Sequence, residues 1–142
     1  MSYPLVITKS SIESDSALME GGRGARKIIV TEIYEGKEVE YSDSTWRGLT
    51  KRSPVMELQG GEMAIFNETT PQDRHFHKEG TEIYTVLEGA VTIEVNNILY
   101  GAKSGETIIV APNQTHEVYC NSRFLVQVIT LNCGGIKDKY VV

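Results

Sequence analysis

The chain has 142 residues, enough for one compact domain with a single buried core and too few for two of ordinary size. An apolar share of 40%, a charged share of 23% and a normal complement of aromatics (3 Phe, 1 Trp, 7 Tyr) exclude a wholly disordered chain or a fibrous repeat. With 14 basic residues against 19 acidic ones the net charge is −5, which repels phosphate backbones, so nucleic acid is not an expected partner. The apolar stretch Ile108 to Ala111 falls far short of the roughly 18 residues of a membrane helix, so no membrane association is expected. Residues 1–10 lack the basic start, apolar middle and small-residue cleavage site of a secretion signal, which makes the cytoplasm the expected compartment. Cys120 and Cys133 form no CxxC pair and read as buried thiols.

In chain order, residues 1–24 end in Gly21-Gly22-Arg23-Gly24 without a regular apolar period and read as an N-terminal arm. The glycines invite a phosphate-loop reading, but no GK[ST] follows and no strand leads in. A β-branched run over 26–34 turns at Glu35-Gly36 toward 37–41, the pattern of a hairpin. Trp46, Arg47, Lys51 and Arg52 form a small basic and aromatic cluster, read as a solvated loop. Short strands are then predicted over 54–58, 62–67, 73–78, 82–88, 90–96, 107–111, 116–120 and 124–131. Turn signals separate them at Gly60-Gly61, Glu79-Gly80, Glu88-Gly89, Asn96-Asn97, Ser104-Gly105 and Pro112-Asn113. Regular short strands with almost no helical period indicate an all-β sandwich or barrel over 25–142.

Alternation predicts how these strands are wetted. Val91, Ile93 and Val95 alternate with Thr92, Glu94 and Asn96, so one face of that strand should be wet. Ile108-Ile109-Val110, Phe124-Leu125-Val126 and Val86-Leu87 are apolar on both faces, so an outer sheet surface must be covered. A second copy or the N-terminal strand is the natural cover, and a homodimer is expected.

The chain has 3 histidines, His75, His77 and His116. His75 and His77 are two apart on a predicted strand, so their imidazoles leave the same face about 6.6 Å apart along the chain and can converge on one ion. Glu82 follows after the turn Lys78-Glu79-Gly80-Thr81. If its strand folds back beside the first, the carboxylate reaches the same point, and His116 can enter from the strand after Pro112. Three neutral imidazoles and one carboxylate suit a divalent first-row metal and leave one or two exchangeable positions. Core histidines that merely find hydrogen-bond partners are the alternative, but the spacing argues against it.

That spacing is informative beyond its geometry. His75-Phe76-His77, four residues, Glu82, six residues and Gly89 resemble the first motif of the cupin superfamily, HxH(x)3 or 4, E, (x)6, G. The second motif, G(x)5PxG(x)2H(x)3N, is represented by Gly105 and His116. Pro112 falls one place late, Asn113 stands at the glycine and Cys120 at the asparagine, with Asn121 next. Asparagine tolerates the left-handed turn that glycine would supply. Thr69 stands where the first motif begins with glycine, and the motif core spans 69–121.

The resemblance implies an all-β, antiparallel jelly-roll barrel, a single cupin domain with an N-terminal arm or strand, usually dimeric. It implies one divalent first-row metal (Fe, Mn, Zn, Ni, Co or Cu) held by His75, His77, Glu82 and His116. Such a protein would act as an oxygenase, isomerase or lyase on a small polar or anionic molecule. A non-catalytic cupin that captures or senses a metabolite through the same metal is the alternative, and a structural dimer with an incidental metal is a third reading. By the period-two count Asp73 shares a face with the two histidines, Tyr84 and Val86 with Glu82, and Val118 and Cys120 with His116. Of these pocket-wall candidates Asp73 and Tyr84 carry groups able to assist catalysis, although a packed, hydrogen-bonded Tyr is the commoner case. The face of Gln127 stays open.

Overall fold

A computed structural model describes residues 28–32, 61–69, 73–132 and 138–142. The expected arm, the return strand over 37–41, the cluster from Trp46 to Arg52, the strand over 54–58 and Cys133 lie outside these residues. Among the described residues the chain forms nine strands: β1 (Ile28–Glu32), β2 (Gly61–Asn67), β3 (His75–His77), β4 (Thr81–Val95), β5 (Ile98–Lys103), β6 (Thr107–Val110), β7 (His116–Tyr119), β8 (Phe124–Leu131) and β9 (Lys139–Val141). Every pairing between them is antiparallel. No described helix is long and apolar enough to cross a membrane. The fold is the expected all-β barrel type, two curled sheets that share one long strand.

That shared strand corrects the sequence reading. The signal at Glu88-Gly89 predicts a turn between two strands, whereas β4 runs unbroken for 15 residues. Its first half pairs with β6 and β8, and its second half with β5 and β7. The register with β8 shifts between Val86 and Glu88, and Gly89 takes a φ of 75°. A bulge followed by a left-handed residue re-aims a strand without reversing it, so β4 passes from one sheet into the other. A side chain is excluded at that corner, since a Cβ on Gly89 would stand 2.1 Å from the Arg123 carbonyl oxygen.

One sheet thus runs β6-β4-β8-β2-β1 and the other β5-β4-β7-β3-β9. Between them lies the core of Phe66, Tyr84, Val86, Val91, Ile93, Val110, Val118, Phe124, Val126 and Val128. The Phe66 ring meets Phe124 edge-on at 5.8 Å and Tyr84 at 6.4 Å, an arrangement that aromatic quadrupoles favour.

Three further differences have simple physical causes. β1 pairs with β2, and the expected hairpin partner lies outside the described residues. β5 was not among the expected strands because Ile98 to Lys103 contains one β-branched residue and a glycine. A two-residue turn with positive φ at Asn96 (48°) and Asn97 (68°) nevertheless folds it back onto β4. β9 gave no signal because it is three residues long.

The expected wet face of β4 is dry at Glu94, which is 8% exposed. Arg74 forms an ion pair with one carboxylate oxygen and the Tyr119 hydroxyl donates to the other. On the outside of the first sheet, cross-strand register aligns Ile109, Ile83, Ile129 and Met63 over β6, β4, β8 and β2. Ile109 is 62% exposed and neighbouring Leu131 48%, so the doubly apolar strands do leave an apolar outer row. Gln127 sits in the next row, registered with Thr85 and Ile65, and therefore faces outward.

Candidate metal centre

His75 and His77 both project inward from β3 because they are two apart, and His75 is registered directly against His116 at the start of β7. The three rings gather with centroids 4.3 to 5.5 Å apart. Glu82 arrives differently from the expectation. Its strand does not fold back beside β3; β4 and β3 are both neighbours of β7, and Glu82 reaches the histidines from the half of β4 that belongs to the opposite sheet. The carboxylate therefore crosses the barrel interior to meet them.

The donor atoms of His75, His77, Glu82 and His116 all lie within 4.8 Å of one another. Glu82 Oε1 stands 2.6 Å from His77 Nε2, 2.8 Å from His116 Nε2 and 3.6 Å from His75 Nε2. Bonds of about 2.1 Å to one ion would place opposite ligands roughly 4 Å apart, close to what the cluster already has. His116 is 1% exposed and His75 and Glu82 are also buried, so these donor atoms are shielded from bulk solvent.

The other side of each ring decides what the centre can hold. His75 Nδ1 donates to the Asp73 carbonyl (2.7 Å), His77 Nδ1 to the Asp138 carbonyl (3.0 Å) and His116 Nδ1 to the Gln114 carbonyl (2.9 Å). A carbonyl can only accept, so each neutral ring carries its proton on Nδ1 and turns the Nε2 lone pair inward. Three lone pairs then face a carboxylate oxygen, an arrangement that repels unless a proton or a cation stands between them. The donor set fits a divalent cation: three imidazoles and one carboxylate, pre-oriented by backbone.

The electrostatics follow from the same contacts. Without a cation, a proton on Nε2 relieves that repulsion: burial alone would raise the Glu82 carboxyl, but hydrogen bonds from the imidazoles of His116, His75 and His77, donated when Nε2 is protonated, outweigh it and hold it well below the usual range. Burial lowers His75 against the pull of Glu82. At His77 burial acts the same way, but Glu82 and the Asp138 carbonyl prevail and its pKa is raised. Tyr84 is buried beside Glu82, and burial first, then the carboxylate, push its phenol well above the ordinary value.

The remaining candidates divide. Tyr84 is at the site, its ring 6.2 Å from that of His116, and Val86 and Val118 are buried in the core between the sheets. Asp73 precedes β3, and its described role is the main-chain carbonyl that orients His75. Cys120 is exposed just beyond the end of β7, which corrects both the buried-thiol and the pocket-wall readings. Asn113 adopts a φ of 66°, the left-handed turn expected in place of glycine, and its N–H donates to the His77 carbonyl (2.6 Å). Asp138 was missed by sequence reasoning. A single aspartate in a segment without pattern gives no signal, yet its carboxylate accepts from three consecutive N–H groups, those of Lys78, Glu79 and Gly80.

Residues 54–131 match the cupin domain family. This is more than half of the chain, and the chain belongs to that family. Among solved structures, the fold is similar to a double-stranded β-helix protein from Klebsiella pneumoniae, with a TM-score of 0.53 at 19% identity over 62% of this chain and 75% of that one. It is also similar to Streptomyces Pac13, a nucleoside dehydratase, with a TM-score of 0.51 at 14% identity over 58% of this chain and 68% of that one. A protein from Planctomyces limnophilus gives a TM-score of 0.50 at 24% identity over 56% and 70% of the two chains. At these identities the likenesses show the shared fold. No curated protein matches the chain.

Proposed function

We propose that this cupin binds one divalent first-row metal through His75, His77, Glu82 and His116 and acts on a small polar or anionic metabolite as an oxygenase, isomerase or lyase. The observation that carries the proposal is the set of three buried Nε2 lone pairs, each fixed by a backbone carbonyl on the far side of its ring and all aimed at one carboxylate oxygen. A metal held there supplies Lewis acidity, polarising an oxygen of the bound molecule. The chain's own residues supply the rest. The apolar wall of Val86, Val110, Val118 and Val128 excludes bulk water. The Tyr84 phenol, protonated at neutral pH, serves as a hydrogen-bond or proton donor and not as a base.

A dication with one carboxylate ligand keeps a net positive charge, which favours an anionic group on the ligand. The likeness to Pac13, described in complex with uridine, supports a barrel interior open to small molecules without specifying this chain's substrate. The second reading, capture or sensing without turnover, is favoured by one observation: burial and the Glu82 carboxylate keep the Tyr84 phenol protonated, so it cannot serve as a general base.

Elemental analysis of the purified protein is expected to give about one first-row ion per chain. Turnover of small carboxylates or enolisable metabolites by wild type, lost in Tyr84→Phe with metal retained, would support catalysis. Tight ligand binding without turnover would establish the sensing reading, and absence of metal from wild type and from reconstituted protein would overturn both.

A further inference from the structure

We infer that Asp138 is a positioning residue for the metal centre, through which the C-terminal segment holds His77 and the spacing between His77 and Glu82. This inference rests on the metal-binding reading above.

Asp138 is buried and works with both halves of the residue. Its main-chain carbonyl accepts from His77 Nδ1 at 3.0 Å, which fixes the tautomer and points Nε2 into the centre. Its carboxylate accepts from the N–H groups of Lys78 (3.0 Å), Glu79 (3.1 Å) and Gly80 (2.8 Å). Those three residues join His77 at the end of β3 to the start of β4, where Glu82 follows two positions after Gly80. Three converging backbone donors are an anion nest, and a carboxylate supplies the charge and the acceptor lone pairs that the nest requires.

The rest of the C-terminal segment clamps the same strand. β9 pairs with β3 along its whole length, Val141 opposite His75, Tyr140 opposite Phe76 and Lys139 opposite His77. Behind the histidines the Phe76 and Tyr140 rings stack at 5.2 Å, with the Lys78 ammonium 4.4 Å over Tyr140. The Val142 N–H donates to the Arg74 carbonyl at 3.0 Å. A three-residue strand such as β3 pairs with β7 at one position only, so β9 and Asp138 supply most of what holds it. Two ligands of the centre therefore depend on a segment 61 and 56 residues further along the chain (138 − 77 and 138 − 82).

The test is a double-mutant cycle on Co(II) affinity. Asp138→Ala is expected to weaken binding about 10- to 100-fold. In a His77→Ala background the same substitution should cost less than about threefold, because Asp138 acts through His77 and the turn that follows it. The Co(II) absorption spectrum of Asp138→Ala should move toward that of His77→Ala, which a mere loss of global stability would not produce. Independent multiplicative losses in the cycle, or an Asp138→Ala affinity within about threefold of wild type, would overturn the inference. Should Asp138→Ala fail to fold, unmutated protein decides. Linkage requires Co(II) to slow hydrogen exchange at the Lys78, Glu79 and Gly80 amides, and unchanged exchange there on saturation would refute the coupling. Wild type that binds no Co(II) would instead refute the metal reading itself.

Discussion

Lowering the pH from about 7.5 to about 5.5 should strip the metal from this centre in two stages whose order the hydrogen bonds dictate. An imidazole ligates only when neutral, and its unperturbed pKa is about 6.5. His77 is raised above that by Glu82 and the Asp138 carbonyl, so its proton is the first with which the metal competes, starting above about pH 6.5. His75 is lowered by burial and joins at lower pH. Each competing proton weakens binding about tenfold per pH unit, or roughly 1.4 kcal/mol, and the slope steepens toward a hundredfold per unit once both titrate.

At a metal concentration about 100 times Kd, binding stabilises the fold by about 2.7 kcal/mol. A tenfold weakening leaves about 1.4, and a further hundredfold leaves almost none. With about 4 °C per kcal/mol for a chain of this size, the melting-temperature gap between metal and chelator should shrink from roughly 10 °C to nothing. The metal-free curve moves less because its two shifts oppose each other. Raised His77 contributes stability that is complete below its unfolded pKa and disappears as pH rises through the folded value. Lowered His75 contributes stability that is present above its unfolded pKa and disappears as pH falls through the folded one. Differential scanning fluorimetry across the range measures both curves, and a gap that stays constant to pH 5.5 would refute histidine ligation.

The paired substitution His75→Ala and His77→Ala removes two of four donors and should abolish metal retention through gel filtration, read by elemental analysis, with the melting temperature in chelator changed far less than the loss of metal. Gly89→Ala should destabilise by about 2 to 5 kcal/mol in urea unfolding, combining left-handed strain with overlap against the Arg123 carbonyl. Gly101→Ala, where a Cβ meets nothing within 4 Å, should stay within about 0.5 kcal/mol; similar values for the two would discredit the corner. Arg74→Ala leaves buried Glu94 with the Tyr119 hydroxyl as its remaining described partner. Because Arg74 is itself about a third exposed, the cost should be about 1–2 kcal/mol by urea titration rather than that of a fully buried pair. The outer row of Ile109, Ile83, Ile129 and Met63 is expected to be covered by a second copy, giving a dimer at micromolar concentration in sedimentation; a monomer would remove that expectation.

The four residues that gather at the candidate centre were legible in the sequence because they obey local rules. A two-residue spacing on a strand places both histidines on one face whatever surrounds them, and Asn113 announces a left-handed turn by its chemistry alone. The all-β class was legible for the same reason, from period-two runs cut by turn residues. Local rules also misled where a residue has two uses. Gly89 satisfies a hairpin turn and a strand bulge equally well, and only the pairing of both halves of β4 selects the bulge. Glu94 alternates like a solvent residue, and only its tertiary partners, Arg74 twenty positions earlier in the chain and Tyr119 on β7, allow its burial.

What the sequence by itself determined, then, is the identity of the donors and the strand character of the segments that carry them, since spacing, alternation and turn chemistry act over a few residues. The tertiary structure decided the relations between distant segments: that Glu82 comes from the opposite sheet, that Gln127 faces outward and Cys120 is exposed, and that Asp138 closes over the turn after His77. These depend on register and on backbone carbonyls and amides, which every residue possesses alike. Side-chain chemistry therefore does not encode which of them will meet.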